Sequence, residues 1–332
     1  MVSLKKIMHR LLKGQWRTAV FALTTRCNCK CLMCDMHRQK PQIISVEDAK
    51  IILDFLSKNR FFAVYFTGGE PTLHPNLVEI VNYANELGLA TSLTTNGTPS
   101  LSLIEQLKEA GLYLMSVSLD HWDPSICDEI RGYKDIQMRQ ERIIEYGTQL
   151  GLKIYALAYL NPFLIRDGVA NLVKYVNQKL RVPFGFCYPT KCDVNSYRLG
   201  GSISSDTMER QLLESIEQLL QLKRNGYQIA NVGTYIEDIM RLRRNEPPNF
   251  YCKGGEDVIY IDWSGNVYPC FLKEKLFNVL NDDNTHLLRG IKCNDCLINC
   301  FREPSMVPQS LTSPRLLVKE ALYSYSVRDL LI

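Results

Sequence analysis

Six short runs of β-forming residues recur along the first 190 residues, each followed by a stretch with helical spacing. They are AVFALTT from Ala19, FAVYFTGG from Phe62, ATSLTTNG from Ala90, YLMSVSLD from Tyr113, KIYALAYL from Lys153 and FGFCYP from Phe184. Val, Phe, Tyr, Thr and Leu dominate these runs and charge is scarce, as in strands buried on both faces. Between them, Ile51, Ile52, Phe55 and Leu56 follow Ser45 and Asp48, which form a capping box. Leu77, Ile80, Val81, Ala84 and Leu87 make a second apolar face, ended by Gly88. Six strand–helix units in series predict an α/β fold with a parallel sheet, either open or an incomplete barrel. In both, the loops after the strand C-termini share one face and carry the chemistry.

Those loops hold the unusual residues. TTRCNCKCLMCDMH follows the first strand, TGGEP the second, TTNG the third and SLD the fourth. The chain has 12 cysteines in 332 residues; four lie at 27–34 and five at 252–300, with Cys127, Cys187 and Cys192 between. No run of 18 apolar residues predicts a membrane span. The opening MVSLKKIMHRLLKGQWR has no long apolar stretch and no small-residue cleavage site. The expected location is therefore cytoplasmic, where clustered thiols serve metal or redox chemistry rather than disulfides. The net charge of +4 does not call for a nucleic-acid partner.

Cys27, Cys31 and Cys34 form C-x3-C-x2-C. With GGEP after the next strand, this resembles the radical S-adenosylmethionine (SAM) superfamily. The resemblance covers about residues 17 to 190 and implies a partial (β/α)6 TIM-type barrel. It implies that Cys27, Cys31 and Cys34 ligate a 4Fe–4S cluster whose open iron binds the amino and carboxylate groups of SAM. Gly68, Gly69 and Glu70 match the element that contacts the SAM amino group. Met36 is expected beside adenine, and Asn96 and Ser118 at the ribose or the methionine carboxylate. Cys29 is read as a tolerated small residue inside the spacer. A reduced cluster would cleave SAM, and the 5′-deoxyadenosyl radical would remove a hydrogen atom from substrate. An electron donor such as flavodoxin or ferredoxin is implied.

A second cysteine group follows. CKGGEDVIYIDWSGNVYPC reads as a hairpin with its turn at Ser264-Gly265-Asn266. Its spacing is Cys252-x12-Gly265-x4-Cys270, and Cys293-x2-Cys296-x3-Cys300 comes next. A zinc ribbon is the natural rival, but the first pair is not C-x2-C. The pattern resembles the SPASM/twitch extension of radical SAM enzymes. It implies one auxiliary 4Fe–4S cluster held by Cys252, Cys270 and two of Cys293, Cys296 and Cys300. That cluster would serve electron transfer, substrate binding or structure.

The expected units are a basic amphipathic segment at 1–16, the barrel at 17–225, the auxiliary domain at 245–305 and an amphipathic tail at 306–332. DTMERQLLESIEQLLQLKR, 206–224, reads as a core-packing helix, and Pro247-Pro248 as the end of another. The first segment can lie on an anionic membrane surface or pack on its own domain. Cys187 and Cys192, near the active face, read either as contacts to substrate or the auxiliary site or as unligated thiols. Asp120, His121, Tyr188 and Lys191 are polar candidates near the pocket. With the cysteine loop so close to the start, a small-molecule or lipid-like substrate is expected. A peptide presented by a partner protein is the alternative. A non-catalytic iron–sulfur or zinc protein is the rival of another class, and it leaves GGEP unexplained.

Overall fold

The structure is a computed structural model that describes residues 16–200, 206–281, 288, 290–291, 293–321 and 323. Six parallel strands follow one another across the sheet in chain order: β1 (Arg17–Thr24), β2 (Phe61–Gly68), β3 (Ala90–Thr95), β4 (Leu114–Ser118), β5 (Lys153–Tyr159) and β6 (Phe184–Cys187). All six were legible as apolar runs. Strand residues such as Phe21, Val64, Leu93 and Met115 are completely buried. The helices α1 (Val46–Lys58), α2 (Leu77–Glu86), α3 (Leu101–Glu109), α4 (Pro124–Arg131) and α5 (Ile136–Gln149) connect the first five strands. The short α6 (Pro162–Asp167) and α7 (Val169–Lys174) connect β5 to β6.

Local chemistry sets the helix ends. The Ser45 hydroxyl accepts from the Asp48 N–H at 3.0 Å and caps α1. Gly88 and Gly111 take the left-handed conformation after α2 and α3 (φ 74° and 92°).

The sheet does not end at β1. After α8 (Asp206–Arg224) and α9 (Gly233–Arg243) comes β7 (Val258–Ile261), which pairs parallel to β1. β8 (Asn266–Tyr268) and β9 (Phe277–Asn278) then add antiparallel. The order is β6-β5-β4-β3-β2-β1-β7-β8-β9, so segments 17–225 and 245–305 share one sheet. The hairpin was expected; β9, two residues long, was not. Helix α9 stops before the Pro247-Pro248 pair, because Asn245 is left-handed at φ 55°. Helix α10 (Asn299–Thr312) packs against β1 and β7, and α11 (Pro314–Ala321) follows it. The expected segment 1–16 lies outside the described residues except for Trp16, and so does most of the tail beyond 321. Among the described residues, no helix is long and apolar enough to cross a membrane.

Candidate active site

Three neighbouring elements hold the cysteine loop that leaves β1. From the β2 loop, the Gly69 N–H donates to the Thr24 carbonyl and the Glu70 N–H to the Arg26 carbonyl, both at 2.7 Å. A Cβ on Gly69 would lie 2.2 Å from the Arg26 carbonyl oxygen, so only glycine permits this approach. The glycines thus bring backbone against the cysteine loop, and both line the cavity beside it. At the end of α4, the carbonyls of Arg131 and Ile130 accept from Lys30 (3.0 Å) and Leu32 (2.9 Å). Beyond the loop, the Gly200 N–H donates to Met33 and the Asp35 N–H to the Arg198 carbonyl, at 3.1 and 3.2 Å.

Held this way, Cys27, Cys31 and Cys34 line one cavity with Glu70, Asn96 and Ser118, at the C-terminal ends of β1 to β4. Burial raises the Cys27 thiol to about 11 and the Cys34 thiol to about 12. Cys31 is lowered to about 7, chiefly by a hydrogen bond from Cys29; burial opposes this and the Arg131 charge adds to it. Arg131 Nη1 lies 3.7 Å from Cys31 Sγ, and its Nε lies 2.5 Å from the completely buried Asp120 carboxylate. The sequence reading missed Arg131, because no spacing ties it to the cysteines one hundred positions earlier.

Glu70 is buried, and four donors fix it. Its Oε1 accepts from the Thr72 N–H (3.0 Å), the Thr72 hydroxyl (2.5 Å) and the Thr95 hydroxyl (3.0 Å). Its Oε2 accepts from the Asn96 N–H at 2.7 Å. Burial still pushes the carboxyl above its ordinary range, and a bound ammonium would offset that cost. The Asn96 side chain donates to Asn28 Oδ1 at 2.7 Å, so it also braces the cysteine loop. Met36 does not line the cavity. It is completely buried, and its sulfur accepts from Gln39 and from the Arg198 N–H. Met33 occupies the cavity wall instead. Tyr188 lines the cavity, Asp120 acts through Arg131, and His121 and Lys191 pair with Asp167 and Asp193 away from it.

The later cysteines divide into two sets. Cys252 and Cys293 exchange backbone hydrogen bonds at 3.2 and 3.3 Å, and their thiols touch. The bond from Cys252 is the main reason that Cys293 is lowered to about 6. Burial raises Cys270 to about 12, and the charges of Cys296 and Cys293 add to it. Cys192 joins this set, raised to about 12 by burial and then by the charges of Cys296 and Cys270. Cys300 lies between the two sets: it lines the active-site cavity with Cys187, and the charges of Cys192, Cys296 and Cys270 also act on it. Among the described residues, no three His, Cys, Asp or Glu side chains close on a single ion. The donor chemistry still fits iron–sulfur clusters, which take thiolates and spread them around several metal atoms.

Comparison with known proteins places the chain in a family. Residues 21–176 match the profile of the Radical SAM superfamily. The chain is 30% identical over 273 residues to the AdoMet-dependent heme synthase of Oleidesulfovibrio alaskensis, covering 76% of this chain and 69% of that protein. It is 31% identical over 170 residues to the Fe-coproporphyrin III synthase of Methanosarcina barkeri, covering 49% and 42%. The chain spans about half the length of the first curated relatives it matches. In fold it is similar to anSMEcpe with bound AdoMet, at TM-score 0.61–0.64 and 16–17% identity across four structures, one of them with the Kp18Cys peptide also bound. With that peptide bound, the TM-score is 0.63, and the match covers 92% of this chain and 99% of the other. The chain therefore belongs to the radical SAM superfamily, whose cofactors are a 4Fe–4S cluster and SAM.

Proposed function

We propose that this radical SAM enzyme acts on a small-molecule or lipid-like substrate and carries one auxiliary 4Fe–4S cluster. The observation that supports the reading is that Cys27, Cys31, Cys34, Glu70, Asn96 and Ser118 open on one cavity. The three thiols would hold the SAM-binding cluster. Such a cluster, once reduced, cleaves SAM and supplies a 5′-deoxyadenosyl radical for hydrogen-atom abstraction. Glu70, held by Thr72, Thr95 and Asn96, would receive the SAM ammonium without having to reorganise. Arg131, after the hydrogen bond from Cys29, helps lower the Cys31 thiol and is itself oriented by Asp120. Cys252, Cys270, Cys293 and Cys296 would hold the auxiliary cluster, with Cys192 beside them and Cys300 left to the cavity. Clustered thiols suit a reducing cytoplasm, and a flavodoxin or ferredoxin would supply electrons.

A peptide presented by a partner protein is the second reading. It is favoured by the likeness to anSMEcpe, which has been seen with a peptide and SAM together.

The test is 5′-deoxyadenosine release. Protein reconstituted without oxygen, reduced with dithionite and given SAM should release it, and Cys31→Ala should not. Equal release from both would sink the assignment of the ligand set.

A further inference from the structure

The barrel interior continues below the SAM cavity. A second cavity of about 290 Å³ runs toward the N-terminal ends of the strands, where Trp16, Phe62 and Tyr113 line it. The two cavities share Val20, Tyr65, Asn299 and Cys300 in their walls, so they form an upper and a lower chamber of one lumen. A girdle of hydroxyls separates them. Thr94 and Ser116 lie 2.6 Å apart, and the Tyr65 hydroxyl bonds to Thr94 and reaches Ser116 at 3.4 Å.

The composition changes across that girdle. Above it stand the cysteines, Glu70, Asn96 and Arg131. Below it the wall is chiefly apolar, built from Val20, Ala63, Val64, Leu114, Ala230 and Val232. Barrels of this type normally fill their interior with layers of bulky branched side chains. Here Ala63 and Ser92 stand on adjacent strands and leave the space open. The Ser92 hydroxyl is buried without a hydrogen-bond partner. The carboxyl of the lower wall, Glu303, is raised to about 8 by burial, so it is largely neutral near pH 7.

We infer that the lower chamber binds the hydrocarbon tail of an amphiphilic substrate, whose reacting carbon then sits above the girdle in the SAM cavity. This rests on the small-molecule or lipid-like reading above and names its substrate class. A peptide segment would bring backbone N–H and C=O groups that need partners, and the lower wall supplies few. A hydrocarbon chain has no such groups and gains from every methylene it buries.

The experiment uses the full chain with its iron–sulfur clusters reconstituted and 11-(dansylamino)undecanoate as the probe. Its fluorescence should rise and saturate on titration with wild type. Ala63→Phe and Ser92→Leu fill the chamber from two strands, and each should weaken binding at least tenfold. Their iron content and melting temperature should stay at the wild-type level, which separates a filled chamber from a misfolded chain. Absence of saturable binding by wild type, or unchanged affinity in both folded variants, would overturn the inference. Binding that appears only after residues 1–15 are deleted would also overturn it, since the chain itself would then fill the chamber. Release of 5′-deoxyadenosine without the probe is measured in parallel. If release fails, the reading of the upper cavity falls; if release holds and the probe does not bind, only the lower chamber does.

Discussion

The two cysteine-rich regions are built in opposite ways. In the first, residues 27–34 form a loop with little structure of its own, and the surrounding backbone holds it. The β2 loop, the end of α4 and residues 198–200 each donate or accept hydrogen bonds along it. In the second, the cysteines come from distant parts of the chain; backbone hydrogen bonds join Cys252 to Cys293, but one buried side chain ties the remaining parts together. The completely buried Arg302 donates to Asp238 at 3.0 Å and to the Phe250 and Asn294 oxygens at 3.2 Å each. It thereby joins α9, the approach to Cys252 and the C-x2-C turn. Backbone clamps preserve geometry when a side chain is changed, whereas a clamp made from one side chain is lost with it.

The largest expected effect separates the two regions by function. Replacing Cys27, Cys31 and Cys34 with Ala should abolish SAM cleavage while leaving roughly half of the iron, if one four-iron cluster remains. Replacing Cys252 and Cys270 should remove the other half and keep SAM binding. Cys29→Ala should retain cleavage, because Cys29 acts on Cys31 through a hydrogen bond that Arg131 also supports. Iron analysis and 5′-deoxyadenosine release check all three. Equal iron loss from both sets of variants would erase the distinction.

Arg302→Met tests the single-side-chain clamp. It leaves the buried Asp238 without its cation, which costs about 3–5 kcal/mol when one partner of a buried pair is removed. The melting temperature should fall, and the auxiliary iron should be lost before the other. Arg302→Met with Asp238→Leu should recover part of the stability, because no lone charge then remains buried. Thermal unfolding followed by circular dichroism and by cluster absorbance reads both signals.

Much of the first region was legible in the sequence. A spacing such as C-x3-C-x2-C is local, and the strand before it fixes which face it occupies. The Met36 expectation failed by local detail. Its side chain turns into the core, where Gln39 and the Arg198 N–H meet its sulfur, and Met33 faces the cavity. Arg131 and Arg302 were not legible. Each acts across a long sequence separation, and an arginine ending a helix carries no spacing signal for the thiol it will meet. The sharing of one sheet was hidden for a similar reason. β7 reads as half of a hairpin, and nothing in VIYI shows that its other edge pairs with β1.

The smallest expected effect lies where the two regions meet, at Glu303 on α10. Its Oε1 accepts from the Val232 N–H at 2.7 Å and its Oε2 from Asn231 Nδ2 at 3.3 Å. Burial raises the carboxyl from 4.5 to about 8, against the opposing effects of those bonds and of Lys223. Because the folded value lies above the unfolded one, the neutral form is favoured by folding. The stability this contributes is fully present below about pH 4.5 and is lost as the pH rises through 8. Wild type should therefore lose melting temperature between pH 6 and 9 by about 2 °C or more beyond the loss in Glu303→Gln, since a shift of 1 kcal/mol is worth about that much in a chain of this size. The glutamine keeps an acceptor for Val232 and cannot ionise. Parallel pH profiles in the two proteins would mean that solvent reaches the carboxylate and that the lower lumen is wetter than its wall composition implies.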